Sequence, residues 1–163
     1  MFNTLNEFLT TWKYESDSTA KIFGFLTDAS LTTKIDPDGR TLGRLANHII
    51  ETLTEMPKKL GLPLEEVFPS HMHVEDLVTD YQKKSDELVS AINATWTDAN
   101  LPDMRDMYGE RWSIGAGLHA LLLHQVHHRG QMTAMMRSQG LTVSGIYGPA
   151  REEWALMGMQ PLP

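Results

Sequence analysis

The chain has 163 residues, 41% of them hydrophobic and 21% charged, and a net charge of −7. That suits one domain, residues 1–163, with a real core, and it excludes a disordered chain. The acidic balance, without Lys/Arg clusters, excludes the electrostatic footprint of phosphate-backbone or anionic-membrane binding, so neither nucleic acid nor membrane is an expected partner.

The N-terminal stretch MFNTLNEFLTTWKYE lacks a basic region followed by an apolar core, so it is not a secretory signal. No stretch approaches the roughly 18 to 20 apolar residues that would span a bilayer, and a cytoplasmic location is expected. A first helical pattern runs from about Leu5 to Leu26, carried by Phe8, Leu9, Trp12, Ile22 and Phe23, with a polar middle from Tyr14 to Ser18. Asn3 or Thr4 can cap it. A loop follows, with Asp36-Pro37-Asp38-Gly39 as its clearest turn.

The second pattern starts at Thr41 and repeats through Leu42, Leu45, Ile49, Leu53 and Met56, until Pro57 ends or kinks it. The third covers Val74 to Trp96, with Glu75 and Asp76 in its first turn and Leu77, Tyr81, Leu88, Ile92 and Trp96 as its buried stripe. TDANLPDMRDMYGERW reads as a long connector. The fourth pattern runs from Ser113 to Gln139, stops at Gly140, and is apolar enough to sit centrally. The tail is irregular and carries Tyr147 and Trp154, expected to pack back on the body. Four long helices and few β-type runs predict an all-α four-helix bundle.

Four of the seven histidines lie in HALLLHQVHHRGQ. His124 and His128 are four apart, which puts both imidazoles on one helix face, one turn apart. Leu121, Gln131 and Met135 share that face, so it points inward. A third ligand must come from elsewhere, and His48, flanked by Leu45, Ile49 and Thr52 on the second helix, is the best candidate. A polar ring beside an apolar stripe needs a partner; a metal supplies one, and so does a simple hydrogen bond. Histidines on apolar faces are more often satisfied core residues than ligands. His127 lies about 100° around the helix from His128 and reads as a flanking residue. His71 and His73 read as solvent-facing or capping. Arg129 reads as a partner of a surface carboxylate, with an anionic substrate group as the alternative.

Three imidazoles without a fourth protein ligand describe an open site, as in catalytic zinc centres. The ligand type also accepts nickel, iron and other divalent ions. With no cysteine, disulfides and protein thiolate ligands are excluded, and thiol chemistry would need a thiol cosubstrate. HExxH, paired Glu-x-x-His, Walker A, GxGxxG and GxSxG are all missing.

Two stretches, TLGRLANHIIETL and LLLHQVHHRGQMTAMMRSQG, together with the closing GIYGP, resemble the DinB/YfiT-like superfamily over most of the chain. The resemblance implies a four-helix bundle, frequent homodimers, and one divalent metal ion held by His48, His124 and His128. Zinc or nickel is expected first, with iron or manganese as alternatives. It also implies a metal-dependent enzyme such as a thiol S-transferase using a low-molecular-weight thiol. A hydrolase is a variant, for which Glu51 is a weak candidate base. The competing readings are a non-catalytic or stress-related bundle with a structural metal, and a bundle with ordinary core histidines.

Overall fold

Helices begin where a side-chain oxygen can take up a free backbone N–H. In this computed structural model, which describes residues 2–161, three of four helices start that way. Met1, Leu162 and Pro163, at the ends of the N-terminal stretch and the tail, lie outside the described residues. Helix α1 spans Leu5–Phe23, and Thr4 Oγ1 accepts from the Glu7 amide at 3.1 Å. Helix α2 spans Leu42–Lys59, capped by Thr41 accepting from Arg44 at 3.0 Å. Helix α3 spans Val74–Thr95 and is capped from a distance. Asp28, at the start of a short 3-10 turn (Asp28–Thr32), accepts from the Val74 amide at 2.8 Å. Helix α4 spans Ile114–Ser138, with Ser113 accepting from Ala116 at 3.2 Å.

The four expected helices are all present, and the differences are local. Pro57 sits inside the last turn of α2, which runs on to Lys59. A proline there loses only its own bond back to Leu53, so the helix survives until its natural end. The polar middle of α1 does not interrupt it. Glu15, Ser16 and Thr19 are buried between Trp12 and Ile22, so the inward stripe is continuous but changes from apolar to polar. Gly140, with φ +72°, follows α4 as expected, a backbone region that costs glycine little.

The neighbour order is not the chain order. Helix α2 packs on α3 and α4, and α1 packs on the same two, so α1 faces α2 across the bundle and α3 faces α4. Both diagonal crossings use the longer connectors, residues 24–41 and 96–113. The core runs through all four helices, with Phe8, Trp12, Ile49, Leu53, Tyr81, Leu118 and Met132 almost fully buried.

The second crossing, read from sequence only as a long connector, carries a two-stranded hairpin. Strand β1 (Met104–Met107) pairs antiparallel with β2 (Glu110–Ser113), Met107 opposite Glu110 and Met104 opposite Ser113. Tyr108 and Gly109 form the turn, with φ of 61° and 86°. Positive φ at both central positions matches the twist of the strands they join. Buried Met107 anchors the hairpin, and Arg105 Nε donates to the Leu60 carbonyl beyond α2 at 3.1 Å.

Candidate metal centre

Because α2 and α4 are neighbours, the lone histidine of one meets the histidine pair of the other. His48, His124 and His128 each present a ring nitrogen, and the three nitrogens lie within 4.8 Å of one another. The ring centroids are 5.1 Å apart for His48–His124, 4.9 Å for His48–His128 and 4.4 Å for His124–His128. Among the described residues, this is the group of side chains with the geometry to hold an ion.

The outer nitrogens fix which atoms face inward. His48 Nδ1 lies 3.2 Å from Glu51 Oε2. A carboxylate only accepts, so Nδ1 carries the proton and Nε2 keeps its lone pair. His128 Nδ1 lies 2.7 Å from Gln131 Oε1, with the same consequence. His124 Nε2 and His128 Nε2 are 3.2 Å apart. A tetrahedral ion bound at ~2.0–2.1 Å holds two nitrogens about 3.3 Å apart, so this pair is already at ligand spacing. His124 Nδ1 is buried without a hydrogen-bond partner. Its position three residues on is His127, where the other two histidines find Glu51 and Gln131.

Electrostatics favours neutral rings. Burial, joined by the like charges of His128, His48, His127 and Arg40, pushes the His124 imidazole down to about 4. Burial also lowers His128; the Gln131 hydrogen bond opposes this, while His48, His127 and Arg40 add to it. Neutral imidazole is the metal-binding form. Glu51 is itself partly buried, which works against its charge, yet hydrogen bonds from His48 and Arg44 hold its carboxyl below the usual value. Its Oε2 thus meets both His48 and Arg44 (3.1 Å), which makes it an orienting partner of the His48 ring.

The other histidines stand apart. His71 Nε2 pairs with Asp80 at 2.8 Å, and His73 Nδ1 pairs with Asp28 at 2.8 Å, so both serve the entrance to α3. His119 lies edge-on to Phe2, and exposed His127 flanks His128 with ring centroids 5.0 Å apart.

Arg129 differs from expectation. It is buried, not a surface residue: its guanidinium meets Glu15 Oε2 at 2.5 Å, the Glu15 carbonyl at 2.9 Å and Thr19 Oγ1 at 3.1 Å. Tyr147 from the tail closes the group, its hydroxyl 2.8 Å from both partners. A charge this deep needs such pairing. The polar middle of α1 was the sequence signal for it.

Two clefts, each of about 560 Å³, reach the trio at different histidines. One touches His48 and His124 and is walled by Glu55, Phe68, Tyr108 and Trp112. The other touches His128 and is lined by Arg40, Leu45, Gln131 and Met135. The hairpin residues of the first cleft were not singled out from sequence, since they sit in a segment with no periodicity. Glu51 and Gln131 did leave a signal: each follows its histidine by three residues.

Comparison with known proteins agrees with this architecture. The sequence model of the DinB family matches residues 1–162. A Bacillus subtilis (strain 168) protein, named Uncharacterized protein YrdA, is 39% identical over 163 residues, covering 98% of each chain. The crystal structure of a DinB-like protein from Bacillus cereus ATCC 10987 superposes with a TM-score of 0.86 at 38% identity, covering 90% of this chain and all of that one. A second DinB-like structure, YjoA from Bacillus subtilis, shares the fold with a TM-score of 0.70 at 15% identity, covering 88% of this chain and 98% of that one. From the sequence motifs, the helical architecture and these relatives, the chain belongs to the DinB family.

Proposed function

We propose that His48, His124 and His128 hold one divalent metal ion, zinc or nickel first, with a coordination position left open, and that the protein is a metal-dependent enzyme of the thiol S-transferase type. The observation that carries the reading is the pair of ring nitrogens at 3.2 Å within a three-imidazole cluster that two clefts reach. A bound ion of this kind supplies a Lewis acid that stabilises a thiolate near neutral pH. The residues do the rest. Glu51 and Gln131 hold two rings in the tautomer that faces the ion. Burial disfavours charge on the His124 and His128 rings. In the transfer, the thiol loses its proton to solvent, its sulfur forms the new S–C bond, and the leaving group departs from that carbon with the bonding electron pair.

Access from two clefts supports a catalytic over a purely structural ion, because it leaves room for two substrates at the cluster. Elemental analysis of untagged protein tests the foundation. About one metal per chain is expected, lost in His48→Ala and in His124→Ala. No metal in the wild type, even after incubation with Zn²⁺, Ni²⁺ or Fe²⁺, sinks the reading. A loaded protein that joins no thiol to any electrophile leaves the non-catalytic metal-binding role in its place.

A further inference from the structure

The cleft on the His128 side has its own chemistry. Ile35, Leu45, Ala134 and Met135 give it an apolar wall, and Arg40 is its cationic side chain. Arg44, Arg105, Arg129 and Arg137 each meet a carboxylate. Arg40 has no ion pair and no side-chain hydrogen bond among the described residues.

Gln131 supplies a second donor for a physical reason. An ion on His128 Nε2 requires the proton on Nδ1, and that proton requires an acceptor, so Gln131 must turn Oε1 to the ring. Its NH₂ then points away from the ring, and it has no partner among the described residues although it lines the same cleft. Metal binding thus dictates the amide orientation, and the amide leaves a donor beside Arg40. Asp36 is the one carboxylate of this lining, and its Oδ1 already accepts from the Asp38 amide at 3.0 Å.

Resting on the three-histidine metal reading, we infer that this cleft binds the anionic end of a substrate: a carboxylate on a short apolar stem, held by Arg40 and the Gln131 amide while its head group reaches the three imidazoles. The apolar wall and Asp36 disfavour a doubly charged phosphate in the same place.

The test uses the cobalt(II)-loaded full chain, whose visible spectrum reports coordination without any turnover. The probes are ω-mercaptocarboxylates with three to six carbons, each beside the mercaptoalcohol of equal length. Their binding is followed by the sulfur-to-cobalt charge-transfer band. At least one acid should bind about tenfold more tightly than its alcohol, as a charge-assisted contact implies. Arg40→Gln should abolish that preference with the cobalt spectrum of the free protein unchanged. Gln131→Glu, which keeps the acceptor for His128 and removes the donor, should weaken the acids, and Asp36→Asn should strengthen them. Equal binding of acid and alcohol, binding of neither, or a preference that survives Arg40→Gln overturns the anion site while leaving the metal reading standing. Failure of the wild type to take up cobalt, zinc or nickel overturns the metal reading, and this inference with it.

Discussion

Within the histidine cluster His124 has the least support, since its Nδ1 is buried and unpartnered. Its ordinary value of 6.5 falls to about 4 in the fold, with burial as the leading cause. Between those values the unfolded chain holds a proton that the folded chain refuses. Stability of the metal-free protein therefore rises with pH across the window, and is lost as pH falls from 6.5 through about 4. Denaturant midpoints in chelator at pH 7, 5.5 and 4 should decrease in that order, with a shallower slope in His124→Gln. A flat wild-type profile would contradict a buried neutral ring. The His124/His128 pair was legible in sequence because helical spacing acts on residues close in the chain, whereas His48, on another helix, was singled out by its apolar flank and the family resemblance. The i+3 partners Glu51 and Gln131 were equally legible in principle, as hydrogen-bond acceptors one turn from a histidine. Arg129 was not, because nothing local to HHRGQ says that its carboxylate lies on α1.

The hairpin is the element that helical periodicity hides. Its strands have four residues each and few β-branched side chains, and the signal reduces to Tyr108-Gly109. Asparagine or glycine is the usual occupant where φ is positive at the first turn position, and tyrosine there carries strain on the order of 1 kcal/mol. Tyr108 is held by donating to Glu55 Oε2 at 2.7 Å and by Lys59, 5.3 Å over its ring. It also walls the His48 cleft. Tyr108→Asn should raise stability by about 0.5 to 1 kcal/mol, read as an increased Tm, while opening that cleft. A lower Tm would mean that the contacts to α2 outweigh the backbone strain. Helices α1 to α4 were legible because caps and apolar stripes are local. Pro57 lies two residues before the end of α2, where its cost is small because it sits so near the helix end.

At the scale of the molecule, the order in which helices neighbour one another was not legible, since it depends on which stripes match rather than on any one stripe. One hydrogen-bonded group records the outcome: buried Arg129 of α4 and Glu15 of α1, with the exposed Tyr147 of the tail over them, join three remote parts of the chain. Arg129→Met strands the Glu15 carboxylate and should cost about 3 to 5 kcal/mol in denaturant unfolding. The double variant with Glu15→Leu should lose less than the sum of the single ones. Additive losses would show that the two groups are not coupled. The three-histidine cluster joins a different pair of elements, and without cysteine the chain has no disulfide. On the proposed reading, an ion between His48 and the α4 pair closes a loop of about 75 residues, as a disulfide does, but reversibly. Above the dissociation constant, each tenfold rise in free metal then adds about 1.4 kcal/mol to the folded state. The abundance of the protein in a cell would follow its metal supply, with starved copies opening first and reaching the proteases first.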